Sequence, residues 1–422
     1  MCVSFRGKIQ SKRAFLLKFD HYVITNISTR RIAMPTTKDT KQLIIIGNGF
    51  DLHCDLKSNF NDYFQSRSSK DSFKQVTDLN QTFKELDSDA IKSYLLEKAD
   101  IPRDPVQGYY LESYDFTPDK ISFWDYYFCS HRKNNYNWSD VEYFLTDFFG
   151  KTSSDSKNIF KELETDLNSL LSVKNGQTKS PQFNPAQYEY EAVLLCCCNY
   201  DLSKHSEQYL SDFLFNELKK FETNFKKYLQ PLADDDHYKT DSHALMSKLN
   251  STDENSSFNL LTFNYTIPDL VELDCHVKKN IHSSLNKDPI IGIDSSNLSP
   301  QEPAFRFTKT YRIMNLANET SDMLLPKSIK LITFYGHSLA EADYAYFQSI
   351  FDYFDIYKEN ITLVFYYSVY DPSKALEIKS NVFNSVSKLL ATYGDTFHNE
   401  KGKNLMHKLL LEGRLLIEKL PE

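Results

Sequence analysis

The segment Lys41–Gly49, K-Q-L-I-I-I-G-N-G, constrains the fold of this chain more than any other stretch. Four apolar residues in a row, Leu43–Ile46, leave no polar position for a solvent-facing side, so the segment reads as a strand buried on both faces. Such strands belong to parallel sheets covered by helices. The strand runs directly into Gly47-Asn48-Gly49, after which Leu52, Leu56, Phe60, Tyr63 and Phe64 recur at helical spacing over Phe50–Phe64. A strand, a glycine turn and a helix form the opening unit of a nucleotide-binding fold. The glycines carry weight because only 11 of 422 residues are Gly, against a usual share of about 7%. A residue this scarce is expected where a side chain would not fit.

Strand signals return after Asn255: Phe258–Phe263 ending in Asn264, Pro289–Ile293 ending in Asp294, Ile329–Tyr335 ending in Gly336-His337-Ser338, and Ile361–Tyr367 ending in Ser368. Helical stretches at Glu341–Phe354 and Pro372–Ala391 accompany them. Between about Ser66 and Asn255 the pattern is amphipathic and helical, as in Asn158–Leu171, Tyr188–Cys198, Glu207–Leu229 and Ser242–Leu249, with polar loops at Ser180–Pro185 and Asp234–Asp236. The predicted architecture is α/β: a doubly wound, mainly parallel, Rossmann-like sheet with a large helical insertion. Its divisions are 1–38, 39–65, 66–255 and 256–422. Residues 1–38 carry seven Lys/Arg before Met34 and a single acid there, Asp20. They read either as a basic arm or targeting peptide, or as an untethered, disordered extension ahead of a start at Met34; the plainer second reading is preferred.

Composition removes several functions. The chain is 41% hydrophobic and 25% charged, as expected of a globular protein, and no apolar run approaches the ~20 residues of a membrane-spanning helix. The net charge of −8 disfavours nucleic acid as a partner. Seven cysteines, three of them consecutive at Cys196–Cys198, show no C-x-x-C pair. They read as reduced thiols in a cytoplasmic protein, the Cys196–Cys198 run as core packing. Abundant Tyr and Phe come with abundant Asn, Lys and Ile, the mix an AT-rich genome imposes, so aromatic content carries little weight.

Ligands of open α/β sheets bind at strand C-termini, and Gly47, Asn48, Gly49 and Asp51 follow the first strand, with Asn264, Gly336, His337, Ser338 and Asp343 at later ones. The Gly47–Gly49 turn reads as a place for a backbone to approach a phosphate, or as a tight turn with no ligand. His282 is a candidate proton acceptor, against the plain reading of a satisfied histidine. Glu142 is either an acid reaching the crevice from the insertion or, with Ser139, a capping box starting a helix. No spacing demands a metal.

These motifs resemble those of the AbiH-type bacteriophage abortive-infection family: I-I-I-G-N-G-F-D-L-H at 44–53, W-S-D-V-E at 138–142, F-N-Y-T at 263–266, N-I-H-S-S-L at 280–285 leading into I-I-G-I-D at 290–294, and Y-G-H-S-L-A-E-A-D-Y-A-Y-F at 335–347. The family in turn resembles sirtuin-like NAD-binding defence domains. That resemblance implies that Gly47 and Gly49 face a pyrophosphate, that Asn264 holds the nicotinamide-side ribose, that His282 is the base, and that Gly336 and Ser338 contact the adenosine side. Ser283 departs from the Gly expected after His282, and the paired-cysteine zinc module of sirtuin deacylases is absent. The implied activity is cleavage of the N-glycosidic bond of NAD(P) or a related nucleotide, by an antiphage effector answering a phage-derived trigger protein, with homo-oligomerisation left open. Two alternatives are a non-catalytic nucleotide-sensing switch acting through a protein partner, and a nuclease built on Asp51, Glu142, Asp294 and Asp343.

Overall fold

The computed structural model describes residues 40–68, 121–131, 139–150, 158–174, 189–250, 257–295, 298–314, 323–397 and 401–421. The extension 1–38 and the Ser180–Pro185 loop lie outside them. From Thr40 on the chain forms one unit.

Six parallel strands make a single sheet in the order β3-β2-β1-β4-β5-β6. They are β1 (Thr40–Ile46), β2 (Ser257–Thr262), β3 (Cys275–Asn280), β4 (Leu331–Tyr335), β5 (Thr362–Tyr367) and β6 (Leu415–Lys419). This is the doubly wound fold expected from the opening strand. Leu43, Ile44, Ile45 and Ile46 are fully buried. Alternation sends Ile44 and Ile46 into one core with helices that precede β2, and Leu43 and Ile45 into another with the helices around β5.

The first core is packed by α1 (Asn48–His53), α2 (Phe60–Ser68), α3 (Phe123–Ser130), α4 (Ser139–Phe148), α5 (Ile159–Lys174), α6 (Glu189–Ala192), the long α7 (Glu207–Ala233) and α8 (Asp236–Leu249). Ser122 starts α3 with a capping box to Asp125, and Ser206 caps α7. A π-helical turn, Val193–Cys197, follows α6, and Cys198 is buried behind it. The second core is packed by α10 (Tyr344–Phe354), α11 (Ala375–Asp395) and α12 (Leu405–Leu411), while α9 (Lys309–Met314) leads from the polar segment before β4.

Two expectations are corrected and two edge strands are added. The helix read over Phe50–Phe64 is two helices, broken where Asp55 takes a left-handed φ of 56°, a conformation Asp tolerates better than most. Pro289–Ile293 is buried but is no strand; the strand-type pairing it makes is an isolated Ile293–Thr308 bridge. Its backbone instead meets side chains: Ile291 N–H donates to Glu222, and Arg312 donates to the Ile291 carbonyl. Conversely, C-H-V-K-K-N is strand β3; as an edge strand with lysines facing water it lacks the apolar signature of an inner strand. Edge strand β6 likewise lies outside the strands the sequence predicts. Cys54, Cys129, Cys198 and Cys275 are free thiols, and among the described residues no helix is long and apolar enough to cross a membrane.

Candidate functional site

Strand register assembles the site. Ile46 pairs with Thr262 and with Tyr335, and Thr262 pairs with Asn280, so these four residues form one row at the C-terminal end of the sheet. Asn48, Asn264, His282 and His337 each stand two residues beyond that row. The chain order reverses between β1 and β4, the switch point where open α/β sheets hold ligands. A cavity of about 890 Å³ opens there, within the range of ligand pockets.

Of the residues nominated from sequence, Gly47, Asn48, Gly49, Glu142, Asn264, His282, Gly336, His337, Ser338 and Asp343 all line this cavity. Asp51 does not. Its carboxyl is buried beneath the loops, accepting hydrogen bonds from Thr266 Oγ1 at 2.6 Å and from the Tyr238 hydroxyl at 2.7 Å. Burial pushes its pKa up to about 6 despite these donors.

The glycines let two backbones touch. Gly49 N–H donates to the Gly336 carbonyl at 2.7 Å, and a Cβ on Gly336, whose φ is +68°, would stand 2.3 Å from Phe50 N. The Gly49 amide is therefore engaged within the protein, and α1 is only six residues long. A phosphate approaching this turn meets a glycine ridge, not a free helix N-terminus. Gly292 does similar work: a Cβ there would stand 2.6 Å from the Phe307 carbonyl, so the residue lets 291–294 press on the start of α9 and set Lys309.

Lys309 is the residue that sequence reading missed. Its ammonium is 2.8 Å from Glu142 Oε1 and 3.6 Å from Asp343 Oδ1, inside the protein. Burial opposes its charge, but the two carboxylates outweigh burial and raise its pKa above the ordinary value. In F-R-F-T-K-T nothing marks this lysine off from a surface one, because its partners come from α4 and from beyond β4. Glu142 thus reaches the crevice, where burial raises its pKa against the opposing pull of Lys309. Burial also raises Asp343, yet Lys309, His282 and His337 together overcome it and hold the carboxyl far below the usual range.

Both histidines lean on Asp343, with His282 Nε2 3.6 Å from Oδ1 and His337 Nε2 3.4 Å from Oδ2. Leu339 N–H donates to His337 Nδ1, which assigns the proton of that ring to Nε2. Burial, then Lys309, lowers the His282 pKa to about 4, so the ring is neutral at physiological pH. With Asp343 on its Nε2 side, the free lone pair of His282 falls on Nδ1. That atom and Asn264 Oδ1 are buried with no hydrogen-bond partner, a condition costing roughly 1–3 kcal/mol each.

A profile of the family described as Bacteriophage abortive infection AbiH matches residues 43–367. The chain belongs to the AbiH family. No curated protein and no solved structure matches it. The AbiH match runs from β1 to the end of β5, so it contains every strand that contributes to the crevice, and it puts the chain among phage-defence proteins. Against the departure noted at Ser283, that buried residue has a left-handed φ of 69°. The backbone keeps the conformation a glycine would adopt freely, at a cost of ~1 kcal/mol.

Proposed function

We propose that this AbiH-family chain is a cytoplasmic antiphage effector whose crevice takes NAD or a related nucleotide and hydrolyses its N-glycosidic bond. The observation that carries this reading is a neutral, buried His282 with an unpartnered Nδ1, backed by an ionised Asp343 at the topological switch point. Glycosidic cleavage develops positive charge on the ribose. Among the described lining residues, Glu142, Asp294 and Asp343 face a single lysine, so the cavity favours a cation. Asn264 Oδ1 is the acceptor for a ribose hydroxyl. The bond between C1′ and the ring nitrogen breaks with its electron pair going to the departing nicotinamide, which leaves neutral. The water oxygen bonds to C1′, and its proton passes to His282 Nδ1, where Asp343 stabilises the imidazolium.

The motif resemblance to sirtuin-like domains, carried over to this site, implies contacts from Gly336 and Ser338 to the adenosine side. A carboxylate nuclease is less well supported, because Lys309 neutralises Glu142 and Asp343 while Asp51 lies outside the cavity. The test is nicotinamide release from NAD by purified protein supplied with phage-infected lysate. His282→Ala is expected to lose roughly 10²–10⁴-fold in rate while still binding nucleotide. If that variant keeps phage protection, the chain is a sensor; if wild-type protein binds nucleotide yet leaves NAD intact, the hydrolase reading fails.

A further inference from the structure

A second cavity, of about 550 Å³, lies across the glycine ridge from the first, over β4 and β5. The two share Gly49, Leu52, Gly336, His337 and Tyr370 as common wall, but their chemistry differs. The second has no carboxylate or ammonium among its described lining residues. Phe334 and Phe365, paired in register on β4 and β5, stack there with centroids 4.4 Å apart. Half-buried Ile378 and Val382 of α11 face them across the space. Uncharged polar groups interrupt this surface, among them a linked set in which the Tyr335 hydroxyl lies 2.6 Å from His53 Nδ1 and 2.7 Å from Ser368 Oγ, all three residues lining the cavity.

A space with largely apolar, uncharged walls and a hydrogen-bonding edge suits a neutral aromatic base, which buries its faces and keeps its own hydrogen-bonding edge. A charged ring belongs in the acid-lined cavity instead. Between the two, the ridge where Gly49 and Gly336 touch carries no side chain to block a linking arm. We infer that the apolar cavity seats an adenine-type base, making the ligand a dinucleotide whose ribose–phosphate arm crosses the Gly49–Gly336 ridge. This rests on the reading that a nucleotide occupies the polar cavity. It adds a committed base site, walled by an α11 that lies beyond the residues matched by the AbiH profile.

Ile378→Trp and Val382→Trp each put an indole into the apolar cavity, at positions that do not line the polar one. Equilibrium dialysis with ADP-ribose, which carries adenine, and nicotinamide mononucleotide, which lacks it, reads the result. Thermal melts confirm that the variants fold. Losing a base stack weakens binding roughly 5- to 150-fold. ADP-ribose affinity is expected to fall by that factor in both variants, with nicotinamide mononucleotide unchanged. If ADP-ribose binds both variants as it binds wild type, or if both ligands weaken together, the base site is wrong while the polar cavity stands. If wild-type protein binds neither ligand, the nucleotide reading fails first and takes the base site with it.

Discussion

Asp51 and Asp343 are both buried aspartates at the C-terminal end of the same sheet, and their carboxyls are driven in opposite directions. Asp51, under the β1 and β2 loops, has only neutral side-chain partners, Thr266, Tyr238 and Asn264, and burial pushes it up to about 6. Asp343, in the crevice, suffers the same burial, but Lys309 and two histidines hold it well below the ordinary range. Neutral hydrogen bonds temper desolvation; a buried cation overturns it. The lower region is therefore a support that gains nothing from charge, and the upper one is a site in which charge is kept.

The sharpest way to break this contrast is Lys309→Met. It leaves Glu142 and Asp343 buried without their cation and is expected to cost roughly 3–5 kcal/mol in urea unfolding. A loss below about 1 kcal/mol would mean the lysine is not what keeps Asp343 ionised.

The pH dependence sharpens it further. Between 3.8 and about 6 native Asp51 binds more protons than the unfolded chain, so stability falls with rising pH by about 3 kcal/mol. Between about 4 and 6.5 the unfolded chain binds more at His282, so stability rises with pH by a similar amount, about 3 kcal/mol. The two oppose each other in nearly the same window. Denaturant titrations stepped across it should show stability climbing in Asp51→Asn, falling in His282→Gln, and flatter than either in wild type.

Two smaller effects remain. Tyr238→Phe removes a hydroxyl donor to Asp51 and should cost about 1–2 kcal/mol while moving the Asp51 titration upward; an unmoved titration would show that the hydroxyl does not support the carboxylate. Ser283→Gly should stabilise by about 0.5–1 kcal/mol, because it relieves the left-handed φ with no hydrogen bond lost from Oγ. A destabilised variant would show that the serine side chain packs usefully.

Much of the site was legible because it is local to strand ends. Asn48, Asn264 and His337 follow apolar runs that announce their strands, and a scarce glycine marks two of the turns. His282 was legible only as a motif residue, since β3, the strand that delivers it, has an edge pattern with lysines outward. Pro289–Ile293 misled for the complementary reason. Its residues are apolar because they are buried, but Glu222 and Arg312 satisfy its backbone where a neighbouring strand otherwise would.

What the sequence determined by itself is the layered α/β fold and the edge of the sheet where chemistry gathers, because burial on both faces and glycine turns are properties of short, contiguous stretches. The tertiary structure alone decided which of the gathered groups hold charge. A carboxyl's ionisation depends on whether a cation lies within a few ångströms after burial, and Lys309, Glu142 and Asp343 come from three distant parts of the chain that only folding brings into reach.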